Sequence, residues 1–187
     1  MEILKHRLVD GNAVHLVCAK NRKKLTGPDM IVVHYTAGSN ARTAAEFLAR
    51  EEVKASAHLV IGRKGELFQL VPFDTEAWHA GRSSYAGRVN LNRFSIGIEL
   101  DNLGRLELKE GRFVAECGVE VAPEQVFVDD AGETVTFWHR YTETQLKMLR
   151  EICRLLRQYY PIRHVVRHSD ITERKQDPGP EIHLENL

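Results

Sequence analysis

Two histidines stand where an apolar, β-branched run gives way to a loop: His34 near the end of IVVHY and His168 at the end of HVVRH. In open α/β sheets ligands collect at the carboxyl ends of strands, so two imidazoles carried there can meet across the 134 residues between them. Two nitrogen donors and one oxygen donor make the ligand set of a catalytic zinc site, which keeps its fourth position for water. Asp177 is the oxygen candidate, nine residues after His168 in a loop stiffened by Asp-Pro-Gly-Pro. The plain alternative is two satisfied strand-end histidines and a turn aspartate, and the spacing matches no short zinc motif such as HExxH. Glu99, inside SIGIEL, is a carboxylate that is costly to bury unless paired or used, or else one that turns to water at the strand end. Lys175 lies two residues before Asp177, so a loop that aims the aspartate also holds a lysine nearby.

The elements that must position these groups follow from periodicity. IVVHY (31–35) and FSIGIEL (94–100) read as buried strands, and AHLVIG and LFQLV as a hairpin around Gly65. Residues 41–52 read as a helix with Ala44, Ala45, Phe47 and Leu48 toward the core, and residues 78–93 as an ordered loop. The clearest helix is 142–159, opened by the Thr142-x-x-Gln145 capping box, with Leu146, Leu149, Ile152, Cys153 and Leu156 at helical spacing. Between them, residues 105–138 alternate short strands with turns, and 107–133 hold eight acids against two bases, a local net of −6. That segment reads as an antiparallel β insertion whose acidic face is solvated or binds a partner. The fold class expected is α/β: a single mixed β-sheet flanked by helices, one domain over 1–187 with the insertion at about 105–138.

Composition narrows the function. The 187 residues carry 26 basic and 26 acidic side chains, so zero net charge argues against a general nucleic-acid binder. The basic run Lys20, Arg22, Lys23 and Lys24 reads as a solvated loop. Early charges in MEILKHRLVDGN and no long apolar window predict a chain made in the cytoplasm, without membrane insertion, though release to a cell wall stays open. Three cysteines without CxxC spacing read as reduced thiols, Cys153 in the core. A monomer is expected.

The segments IVVHYTAG, SAHLVIGRKGELFQLV, AWHAG, NRFSIGIEL and RHSDITERKQDPGP occur in this order from about residue 28 to 180. Together they resemble the zinc-dependent N-acetylmuramoyl-L-alanine amidases of the type 2 amidase family, related to phage lysozyme-type amidases and peptidoglycan recognition proteins. The resemblance implies that His34, His168 and Asp177 bind zinc, that Glu99 serves as general base and that Lys175 stabilises the transition state. It implies peptidoglycan or muropeptide as substrate and puts the WHAG loop beside the substrate groove. His79 and Trp78 of that loop, and Asn92, are therefore candidate substrate contacts, with Arg93 and Tyr35 less supported; Trp78 could equally anchor the core. The phage branch has a catalytic tyrosine where this chain has Ala57, and cysteine where it has Asp177, which sets this chain nearer the Glu/Asp branch. The competing expectation is a non-catalytic peptidoglycan-binding module of the same fold. Such modules typically lack a ligand, and here all three ligand positions are filled.

Overall fold

The computed structural model describes residues 1–11, 13–25 and 27–187. Met30–Tyr35 and Ser95–Leu100, almost wholly apolar, lie side by side at the centre of a six-stranded sheet. Runs without polar alternation suit strands covered on both faces. The strands are β1 (Ala13–His15), β2 (Met30–Tyr35), β3 (Leu59–Ile61), β4 (Leu67–Gln69), β5 (Ser95–Leu100) and β6 (His164–Arg167), in spatial order β6-β2-β5-β3-β4-β1. All neighbours are parallel except the β3–β4 hairpin, so the sheet is mixed.

Side-chain alternation sorts the two faces. Ile31 and Val33 of β2, with Ile96, Ile98 and Leu100 of β5, pack on Leu149, Ile152, Cys153 and Leu156 of α2 (Glu143–Tyr159). The Thr142–Gln145 capping box is present, and the buried Gln145 carboxamide also donates to the carbonyl of Asp101 at 2.9 Å. The opposite face carries α1 (Ala41–Ala49), capped by Asn40, whose side chain accepts from the Thr43 amide. Its core stripe is Ala41 and Ala45, whereas Phe47, expected inside, is 49% exposed. The helix is turned so that the 41/45 row meets Val60 and Phe68.

α1 also ends three residues sooner than its periodicity suggests. Lys20 explains the stop: its ammonium takes the carbonyls of Leu48, Arg50, Val53 and Ala55 at 2.6–2.8 Å. Helix-end carbonyls need such partners. The basic run is therefore not a merely solvated loop, since Lys23 also pairs with Glu76 and Lys24 with Asp74.

The segment after β5 forms a five-stranded antiparallel sheet of Arg105–Lys109, Arg112–Ala115, Glu120–Val121, Val126–Asp129 and Thr136–His139. It has its own small core of Leu103, Leu106, Ala115, Val121 and Val126. Its base is tied to the main sheet by Asn102, which donates to the His139 carbonyl at 2.7 Å. The loop 78–93 contains a short hairpin, Ser84–Tyr85 with Arg88–Val89. Among the described residues no helix is long and apolar enough to cross a membrane.

Asp101, just past β5, is 5% exposed, with Oδ1 sealed from solvent and without a hydrogen-bond partner among the described residues. Burial pushes its pKa up to about 6 against the opposing Arg63. The folded value lies above the ordinary 3.8, so this group's contribution is fully present below about pH 3.8 and is lost as pH rises through about 6. Asp101→Asn should match the wild type near pH 4 and exceed it by on the order of 1 kcal/mol at pH 8, after discounting for screening. Urea unfolding at the two pH values measures this, and an equal difference at both would contradict it.

Candidate active site

His34 and Glu99 are register partners on the adjacent parallel strands β2 and β5, so both project from the same sheet face, the one opposite α2. His168 comes from the neighbouring strand's exit. It does not end β6, as its position in HVVRH suggested, but opens a one-turn helix, α3 (His168–Ile171). The Asp170 carboxylate stabilises that turn by accepting the Arg167 amide at 2.8 Å. Asp177 is brought alongside by its own carbonyl, which accepts the Ser169 amide of α3 at 3.0 Å.

The next residues are held by the base of the insertion and its exit. Tyr141 donates its hydroxyl to the Pro178 carbonyl at 2.8 Å. Trp138 lies so close to Gly179 that a Cβ there would stand 2.8 Å from the ring. With φ at +84°, glycine suits position 179 on both counts.

The result is a triangle of potential ligand atoms. His34 Nδ1 lies 3.0 Å from His168 Nδ1 and 3.0 Å from Asp177 Oδ2, and the third edge is 2.9 Å. All three residues are buried, and the group is able to hold a metal ion. A tetrahedral zinc with donors at about 2.0–2.1 Å would set its ligand atoms roughly 3.3 Å apart, close to these edges. One shared proton satisfies one edge of the triangle, whereas a cation satisfies all three corners. The donor chemistry therefore fits a divalent metal.

Burial tends to raise Asp177, but the His168 and His34 imidazoles beside it outweigh that and hold the carboxyl well below its usual range. Burial holds His34 below its ordinary value despite Asp177, which keeps the imidazole neutral and ligand-competent.

The cluster forms the floor of a cavity of about 570 Å³. Glu99 and Lys175 line the same cavity. Glu99 Oε2 is sealed from solvent and has no hydrogen-bond partner among the described residues. Its pKa is driven well above the carboxylate range, first by burial and then by Asp177, with Lys175 opposing.

Of the other residues singled out, Trp78 is 38% exposed on the cavity wall, and Tyr35 lines the same cavity. His79 is in the wall but 9% exposed. Asn92 and Arg93 do not line the cavity. The Asn92 carboxamide oxygen accepts the amides of His79 and Ala80 at 3.0 and 2.7 Å, fixing the WHAG turn from behind. His58 is structural, accepting the Gly97 amide and donating to the Thr75 carbonyl, each at 2.9 Å. The sequence reading passed over Glu116, which the insertion contributes to the cavity, and Ser95, which bonds His79. Only a long-range contact distinguishes either from an ordinary surface acid or strand serine.

A mixed sheet whose central strands present His34 and Glu99 beside His168 of the one-turn helix and Asp177 of the following loop defines an α/β protein built around a cluster able to hold a metal ion. The family model described as N-acetylmuramoyl-L-alanine amidase matches residues 23–180, and the chain belongs to that family. It is 36% identical over 131 residues to the 1,6-anhydro-N-acetylmuramyl-L-alanine amidase AmpD of Escherichia coli K12, covering 68% of this chain and 54% of that protein. Against the N-acetylmuramoyl-L-alanine amidase AmiD of the same organism it is 30% identical over 159 residues, 81% of this chain and 49% of that one. The chain thus spans about half the length of these curated relatives. A crystal structure of a selenomethionine AmpD derivative superposes with a TM-score of 0.70 at 28% identity, covering 100% of this chain and 97% of that one. AmiD from E. coli, solved with anhydro-N-acetylmuramic acid-L-Ala-D-gamma-Glu-L-Lys, superposes with a TM-score of 0.63 at 28% identity, over 83% and 54%.

Elemental analysis of the purified protein should find about one divalent ion per chain. His34→Ala, His168→Ala and Asp177→Ala should each retain less than a tenth of that while keeping the wild-type circular dichroism. Full retention in any one of them removes that residue from the ligand set.

Proposed function

We propose that this chain is a zinc-dependent N-acetylmuramoyl-L-alanine amidase, hydrolysing the amide between the lactyl group of N-acetylmuramic acid and the L-alanine of the stem peptide. The observation that carries this reading is the convergence of His34, His168 and Asp177 in the cavity that also receives the sealed carboxylate oxygen of Glu99. The anhydro-muropeptide named in AmpD and bound to AmiD supports soluble fragments as the preferred substrate.

An amide is a weak electrophile and neutral water a weak nucleophile. Zinc held by the two imidazoles and Asp177 would supply Lewis acidity, lowering the pKa of water to about 7 and polarising the carbonyl. Glu99 accepts a proton from the attacking water and delivers it to the departing alanine nitrogen, so the products are a lactyl carboxylate and a free amine. The desolvated setting that raises the Glu99 pKa suits both halves of that transfer, because a stronger base accepts more readily and its conjugate acid still donates. Lys175 offers an ammonium to the carbonyl oxygen as negative charge grows there. Trp78 and Tyr35 give the cavity aromatic walls for a sugar or peptide.

Glu99→Gln should keep its metal and lower kcat/KM by about 10²–10⁴-fold. Lys175→Ala should lower it by about 10²–10³-fold. Only unprotonated Glu99 can accept the proton, so wild-type kcat/KM should climb with pH through a range above that of ordinary carboxylates, and Glu99→Gln should lose that limb. Release of lactyl-terminated sugar from soluble anhydro-muropeptide and from intact sacculi measures all three, with the soluble substrate turned over faster. Metal-loaded protein that releases no product from either substrate would exclude the amidase reading.

A further inference from the structure

We propose that His79 is a positioning residue for the metal ligand His34, the middle member of a hydrogen-bond relay that starts at a backbone carbonyl and sets which nitrogen of His34 is bare. The proposal rests on the metal-site reading above and leaves the identity of the substrate untouched.

The direction of every bond in the relay follows from its first member. The Ser95 hydroxyl lies 2.7 Å from the Leu91 carbonyl oxygen, which can only accept, so the one hydroxyl proton of Ser95 is committed there. Toward His79 Nε2, at 3.2 Å, Ser95 Oγ can then only accept, and Nε2 carries the proton of the His79 ring. A neutral imidazole has one N–H, so His79 Nδ1 is a lone pair. It lies 3.0 Å from His34 Nε2, which must therefore be the donor. His34 is left with Nδ1 unprotonated, and Nδ1 is the atom that faces His168 and Asp177.

Three further features build the relay into the fold. Ser95 and Gly97 lie on the same face of β5 as Glu99, two residues apart, under the His79 ring. A Cβ on Gly97 would stand 2.4 Å from His79 Cγ, so the absence of a side chain there makes room for the ring. Asn92 holds the His79 and Ala80 amides and fixes the backbone from which the ring hangs. Both ring nitrogens of His79 are spent within the relay, so neither is available to a substrate, in contrast to the adjacent exposed Trp78. Metal-bound histidines commonly give their second N–H to a carboxylate, carbonyl or water, and such partners matter about 10–100-fold in affinity. Here that place is taken by a second imidazole.

The test uses the full chain. Zinc affinity, by competition with a chromophoric chelator, should fall about 10–100-fold in His79→Leu. It should return to within about threefold in His79→Asn, whose side-chain oxygen can stand where Nδ1 stood. Long-range proton–nitrogen NMR of metal-free wild type at pH 7.5 should show His34 and His79 both protonated on Nε2. In Ser95→Ala, folded as judged by circular dichroism, the His79 signal should move toward a mixture of tautomers. A proton on His34 Nδ1 in the wild type, or unchanged zinc affinity in a folded His79→Leu, overturns the relay. Failure of the wild type to bind zinc would count against the metal reading, while the NMR tautomers would still decide the relay.

Discussion

Three potential ligand atoms gathered about one spot, at 2.9–3.0 Å from each other and out of water, are the constraint around which this molecule is arranged. Acceptors so placed repel unless something positive lies between them, and their burial removes water as a remedy. The fold must therefore hold them against that repulsion. It does so with the stiffest parts available: the exit of a central parallel strand for His34, the first turn of α3 for His168, and for Asp177 a loop clamped by Ser169, Tyr141 and Trp138.

Parallel topology supplies the rest. Register pairing of His34 with Glu99 puts a carboxylate next to the cluster without any direct bond to it, and burial then keeps that carboxylate basic. The sheet face opposite α2 thus carries the chemistry, and the α2 face carries the larger apolar core. The insertion is more than an acidic apron, because its last strand supplies Trp138 and the residues just past it supply Tyr141, both bearing on the loop of Asp177.

Much of this was legible in the residues. His34 and Glu99 betray themselves as polar positions in otherwise apolar runs, since burying either without a use is costly. The Thr142–Gln145 box and the α2 stripe are local patterns, and local patterns survive folding intact. Phe47 was misjudged because α1 is short and only its 41/45 row meets the sheet. The small core of the insertion is hidden because charged side chains lie between its members, and Leu103 and Leu106 meet Val121 and Val126 only across 15 residues or more. Ser95, Glu116 and Lys20 are not legible, because Ser95 and Lys20 take their places through His79 and through Leu48 to Ala55, and Glu116 reaches the cavity only when the insertion folds over it. His168 was read correctly as standing at a strand exit, but the one-turn helix it opens gave no periodic signal, being too short to have one.

The Lys20 ammonium has a bearing on the cavity as a whole. It sits among four carbonyls that would otherwise suit a small inorganic cation, and the segment it gathers, from Leu48 to Ala55, forms part of the cavity wall. A cation tethered by four methylenes cannot be diluted, exchanged or chelated. The part of the cavity wall that it gathers therefore keeps its shape whatever ions the solvent contains.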